Sequence, residues 1–240
     1  PDIGVPFIEK ALELGVNIIC CHKGLALPGF DPMFSDPVDV GIVADAYPDM
    51  NFVVYHSAYE IGVSEGPYDV NAMQGVDTLI RAFEENGIAK NTGNIYAELG
   101  STWKILMTDP EQAAHAIGKL LKHIGEDRIV WGTDSIWYGS PQDQIAAFRA
   151  FEISESLQEM HDYPALTPEI KAKIFGLNSA ELYGIDVDAK RCAITEDDIS
   201  EEKMALMHEP ELRVPALRAY GPQTRREFFD FLRFNDGKPG

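Results

Sequence analysis

Apolar positions along the chain follow two rhythms in turn. From Pro6 to Leu14 they fall at Phe7, Ile8, Ala11, Leu12 and Leu14, the spacing of one helix face, and Gly15 stops the run. Val16-Asn17-Ile18-Ile19-Cys20-Cys21 follows, short and β-rich, and ends at His22. The order then repeats. A proline- and glycine-rich loop from Lys23 to Pro37 leads to a helix over about Val38 to Ala46, stopped by Pro48, and to a strand from Asn51 to Tyr55 that ends at His56. A long loop through Gly62, Gly66 and Pro67 precedes a helix over about Val76 to Asn86 and a strand from Asn94 to Ala97, ending at Glu98. Asp109-Pro110-Glu111 opens the next helix, aspartate serving as cap and proline suiting the first turn. That helix runs to Gly125, and the strand Arg128 to Thr133 ends at Asp134.

Short apolar strands alternating with helices predict an α/β fold with a parallel sheet buried on both faces. Successive strand ends lie roughly 35 to 40 residues apart, close to the ~30 per unit of a TIM-type (β/α)8 barrel with some loop insertion. Only about four strands are found, whereas a closed barrel of this type needs about eight. The chain is therefore expected to be a fragment or to borrow the missing half from another polypeptide, and an open doubly wound sheet is the alternative. After Asp134 the pattern predicts a helix from Ser140-Pro141-Gln142 to about Met160, another from Thr167 to Phe175, and a last turn from Asn178 to Tyr183 closed by Gly184. Residues 1–185 are assigned to the barrel. Residues 186–240 form a polar C-terminal extension with helices near Glu196 to Met207 and Gln223 to Phe234. Arg225-Arg226 lies at the wrong end for a twin-arginine export signal and is read as part of the latter helix.

Charge narrows the partners. With 39 acidic and 20 basic residues the formal net charge is -19, which argues against nucleic acid and anionic membrane surfaces. No apolar run approaches the ~20 residues of a membrane span. Three cysteines are present, Cys20 and Cys21 adjacent on a strand and so on opposite faces, and Cys192. A disulfide framework is not expected, and a reducing, cytoplasmic compartment is.

Ligands of parallel α/β folds bind at the carboxyl ends of the strands. His22, His56, Glu98 and Asp134 all fall there. A single strand-end histidine is more often a hydrogen-bonded structural residue; two imidazoles with carboxylates on neighbouring strands suit zinc or a similar divalent ion.

The stretches Cys21-His22-Lys23-Gly24, Val54-Tyr55-His56-Ser57, Trp131-Gly132-Thr133-Asp134-Ser135 and Ile174 to Gly184 resemble, in order, the closing part of amidohydrolase-related proteins. That branch of the amidohydrolase superfamily includes aminocarboxymuconate-semialdehyde decarboxylase. The resemblance covers roughly residues 6 to 185 and implies barrel strands five to eight. It implies that His22 and Asp134 bind one divalent metal, zinc by preference, and that Asp134 and His56 are catalytic. His56 would contact the metal-bound water or the substrate. The family completes its site with a His-x-His pair on strand one, which this sequence lacks; the remaining histidines are His115, His123, His161 and His208. Two protein ligands hold zinc weakly beside the usual three or four. His115 and His123 are expected to face solvent.

The implied reaction is hydrolysis of a C–N or C–O bond in a small organic substrate through a metal-activated water. A metal-dependent decarboxylase of an aromatic or unsaturated acid is the first alternative, and a non-catalytic half-barrel interaction subunit the second. Lys23 is expected either against a substrate carboxylate or as an exposed loop cation. Glu98 is expected as a second acid or as a structural, outer hydrogen-bonding partner. Trp137 and Tyr138 would wall a substrate pocket or pack beneath their loop, and Trp103 and Tyr59 are placed under the same pair of readings. The expected partners are a small-molecule substrate and either a second copy of the chain or the missing N-terminal half of the barrel.

Overall fold

The computed structural model describes residues 2–26, 29, 31–191 and 197–208. Among these, four parallel strands form one sheet in the order β1 (Ile18–His22), β2 (Asn51–Tyr55), β3 (Ile95–Glu98) and β4 (Ile129–Val130). This is an α/β fold with the arrangement of a partial TIM barrel. His22 lies beside Tyr55, Val54 beside Ala97, and Glu98 beside Val130. Helix α1 (Gly4–Glu13) precedes the sheet; α2 (Val38–Ala46), α3 (Val76–Glu85), α4 (Thr102–Leu106) and α5 (Pro110–His123) fill the crossovers.

Alternation along the strands sorts the core into two faces. Phe52, Val54, Ile95, Ala97 and Ile129 are buried on one face. On the other, Val53, Tyr96 and Val130 form a buried cluster against Ile18 and Leu182. The four strands were legible because each is nearly all apolar and stops at a polar residue.

By its contacts the chain forms two units. Among the described residues, one comprises those within 2–134 and 151–184; the other comprises 135–150, 185–191 and 197–208. The second holds α6 (Ser135–Tyr138) and α7 (Gln142–Ala150). The first holds α8 (Glu155–His161), α9 (Pro168–Ala172), a π-helical turn (Lys173–Leu177) and α10 (Asn178–Leu182). In the second unit α11 (Val187–Lys190) and α12 (Asp198–His208) follow. The expected helix near Gln223 to Phe234, with Arg225-Arg226, and Cys192 lie outside the described residues.

Two asparagines fasten the first unit. Asn94 Nδ2 donates to the carbonyls of Ala44, Tyr47 and Met50 at 2.9, 3.1 and 2.8 Å, tying the end of α2 to the start of β3. Asn178 Nδ2 donates to Glu126 O and Ile129 O, both at 2.7 Å, and so seats α10 against the start of β4.

Three expectations are corrected. The helix from Ser140 to Met160 is two helices. It breaks because Ser154 caps α8, its Oγ accepting from Leu157 N, while Phe151 packs on the Trp103 ring at 5.2 Å. Strand β4 is two residues long, so Trp131 to Thr133 leave the ladder before Asp134. His115 is not solvent-facing: it is 7% exposed, and its Nδ1 lies 3.0 Å from Tyr163 Oη. His123 is partly buried, with Nδ1 2.6 Å from Glu84 Oε1. Helix α5 is covered on several sides, so its polar residues are not a solvated stripe.

No helix among the described residues is long and apolar enough to cross a membrane.

Candidate active site

The sheet brings His22, His56 and Asp134 together at its carboxyl end. The His22 and His56 rings meet edge to face with centroids 4.6 Å apart. His56 Nδ1 lies 3.6 Å from Asp134 Oδ2. His22 ends β1, His56 follows β2 and Asp134 follows β4, so residues more than a hundred positions apart share one rim.

The backbone around this rim is strained. Among the described residues eight non-glycine residues have positive φ, and six of them follow strand ends: Leu25 (44°), His56 (66°), Ser57 (50°), Ala58 (59°), Ser101 (54°) and Asp134 (50°). Left-handed backbone costs a side-chain-bearing residue roughly 1–2 kcal/mol, and it persists where surrounding bonds over-determine it. Here they do. His56 O accepts from Thr102 Oγ1 at 2.7 Å and from Tyr59 N at 2.8 Å, and Ser57 Oγ donates to Glu98 O at 2.8 Å.

The ring of His56 has a defined proton. Its Nδ1 lies 2.7 Å from Gly100 O. A carbonyl only accepts, so Nδ1 carries hydrogen, and in the neutral ring Nε2 is the basic nitrogen. Ser101 Oγ donates to Asp134 Oδ2 at 2.5 Å, fixing the carboxylate. Glu98 accepts from His56 N at 3.1 Å and from Gly100 N at 2.7 Å. Burial holds its carboxyl above the usual carboxylate range, and those two N–H groups oppose the rise. His22 is exposed at the end of β1, yet its ring is held below the usual imidazole range, first by partial loss of solvation and then by the neighbouring His56, with Asp134 acting in the opposite sense. A neutral ring is the form that ligates metal.

Lys23 is neither an exposed cation nor free to meet a substrate carboxylate: it is buried, its Nζ 2.7 Å from Asp39 Oδ1 and donating to Phe34 O at 3.0 Å. Trp137 is 77% exposed in α6, so it does not pack beneath its loop, and Tyr138 is 39% exposed. Trp103 and Tyr59 are buried. Cys20 and Cys21 are free thiols; burial pushes that of Cys21 up to about 12, which leaves it inert. A cleft of about 290 Å³ opens between Met33 and Asp36 after β1, Ala58 and Glu60 after β2, and Thr78 of α3. None of His22, His56 and Asp134 lines it.

Sequence reasoning missed Ser101, Thr102 and the Gly100 carbonyl. The available signal was the small polar run Gly100-Ser101-Thr102 directly after a strand end that carries a carboxylate.

As a metal centre the rim is partial. His22 and Asp134 are a suitable imidazole and carboxylate, but His56 Nδ1 is committed to Gly100. Among the described residues no group of three or more His, Cys, Asp or Glu has the geometry to hold an ion. Catalytic zinc takes three protein ligands.

Active sites of parallel α/β barrels sit at the carboxyl ends of their strands, which is where these imidazoles and carboxylates lie. A family model described as amidohydrolase matches residues 2–185, and the chain belongs to that family. No protein of curated function matches the chain in sequence. Among solved structures, a candidate 2-pyrone-4,6-dicarboxylic acid hydrolase from Pseudomonas putida aligns at 13% identity and a TM-score of 0.38, over 77% of this chain and 69% of that one. A likeness of that strength fixes neither reaction nor substrate.

Proposed function

We propose that the chain carries the acid–base half of a hydrolase site acting on a C–N or C–O bond of a small organic molecule. The observation that carries this reading is the meeting of His22, His56 and Asp134 on one strained rim, in a chain of the amidohydrolase family. Asp134, positioned by Ser101, takes the proton of the attacking water and returns it to the leaving group. His56, with its proton on Nδ1 toward Gly100, offers Nε2 as an acceptor that orients that water. This suits the ring to aligning a water better than to donating to an oxyanion. A divalent ion, when bound, would polarise the scissile bond and acidify the water. Among the described residues His22 and Asp134 would hold it, and further donors must come from outside them. The lack of a third donor among the described residues is the one observation favouring the second reading, a half-barrel whose role is interaction.

The test is a screen of lactones, amides and aromatic acids with the full protein, with metal analysis alongside. Asp134→Asn and His56→Ala are each expected to lower turnover about 10²- to 10⁴-fold while leaving the fold intact. Unchanged turnover in both variants would remove the assignment. Release of CO2 in place of a hydrolysed product would move the reaction to the decarboxylase alternative.

A further inference from the structure

The end of β3 makes an unusual set of bonds. Glu98 Oε2 accepts the backbone N–H of His56, at the end of β2, and Oε1 accepts that of Gly100. Gly100 in turn presents its carbonyl to His56 Nδ1 at 2.7 Å. Glu98 also needs the neighbouring strand: a Cβ on Gly132, after β4, would overlap Oε1. One carboxylate therefore spans the ends of three strands, and both of its oxygens are used on main-chain donors.

We propose that Glu98 is a positioning residue that fixes the His56 ring in its Nδ1–H form by gripping the His56 and Gly100 amides together. The proposal rests on the proposed role of His56 and deepens it. Glu98 touches no reacting atom; it sets the backbone that carries one ring and the carbonyl that selects its tautomer. Each N–H faces a different carboxylate oxygen, so glutamine cannot replace glutamate. Its NH2 must point at one of two donors, and one grip is lost whichever way the amide turns. The same segment reaches the carboxylate side of the site, because Ser101 is the residue after Gly100 and donates to Asp134. Outer partners of this kind orient reacting rings and fix their tautomers.

The test is long-range 1H–15N NMR on the full 240-residue chain, labelled in its histidine rings, at pH 8. In the wild type His56 is expected to show one protonated nitrogen, Nδ1, and one bare nitrogen, Nε2. In Glu98→Gln the two His56 signals are expected to converge as both tautomers become populated, while the His115 signals stay in place. A folded Glu98→Gln with unchanged His56 signals overturns the proposal. Should that variant not fold, the wild type decides alone. Slow exchange of the His56 and Gly100 amides with a single Nδ1–H ring supports it, and a tautomer mixture or freely exchanging amides overturns it. The spectrum needs neither metal nor substrate, so its outcome is separate from that of the Asp134→Asn and His56→Ala assays: the grip can hold where the reaction assignment fails, and the reverse.

Discussion

Two charged clusters lie in the first unit, and they are built in opposite ways. Beneath the loop that follows β2, Lys119 of α5 is fully buried between Glu65 and Asp77, with Nζ 2.6 Å from a carboxylate oxygen of each. Glu65 also accepts from Val76 N at 3.0 Å, and its own N–H donates to Gln112 Oε1 at 3.0 Å. The two carboxylates share this one cation, and all three side chains are buried. At the strand ends, two imidazoles and a carboxylate share a rim with left-handed backbone, and His22 is exposed. Strain and solvent access sit on one side of the comparison, and ion pairing and burial on the other. A closed ion cluster sets how a loop is held; an open, strained one retains atoms that can still bind something. Charge and burial alone would have pointed to Lys119, whereas the proposed site of His22, His56 and Asp134 lies where the strand ends meet.

Breaking the closed cluster should give the largest effect on stability. Lys119→Met leaves two buried carboxylates without their cation, and removing one partner of a buried ion pair typically costs about 3–5 kcal/mol. Urea unfolding monitored by circular dichroism would read it. A loss below about 1 kcal/mol would mean that water reaches Glu65 and Asp77 and that the cluster is not closed.

The counterpart at the strand ends is His22→Ala. Its ring is on the exposed part of β1, so unfolding should shift by no more than about 0.5 kcal/mol, as for ordinary surface changes. Equal costs in Lys119→Met and His22→Ala would erase the distinction and make the rim a packing element. A small cost for His22→Ala beside a lost response to added zinc would sharpen it.

How much of this was legible follows from sequence distance. The strands and the polar residues that end them could be read because period, glycine and proline are local signals, and α2 and β2 fall where the pattern puts them. The rim was legible for the same reason: strand ends converge in any parallel sheet. What was not legible depends on distant partners. Lys119 reads as one more polar residue on an amphipathic helix, because Glu65 and Asp77 lie 54 and 42 positions earlier. Lys23 reads as a loop cation because Asp39 is needed to show otherwise. The grip of Glu98 depends on His56 and on the empty space at Gly132, which no local pattern announces. The break in the helix after Ala150 turns on a Ser154 cap that matches the helix period well enough to be overlooked.

The smallest expected effect separates the two clusters by pH. His115 lies on the closed side, buried beside Tyr163, and His22 lies on the rim. Both are held below the ordinary imidazole value of 6.5, His115 by burial first and then by His161 and Lys119, with Glu111 and Glu65 pulling the other way. A depressed folded pKa means that below 6.5 the unfolded chain takes up protons that the folded chain resists. Stability is therefore complete above that value and is lost as pH falls from it through the folded pKa. Because His115 is the more deeply buried ring, most of this loss should belong to the closed cluster. Unfolding free energy measured from pH 8 to pH 5.5 should fall in the wild type, and the slope should flatten more in His115→Gln than in His22→Ala, by a fraction of the Lys119→Met cost. The larger flattening in His22→Ala would place the dry, proton-resisting environment at the rim, and with it the assignment of which cluster is closed would be reversed.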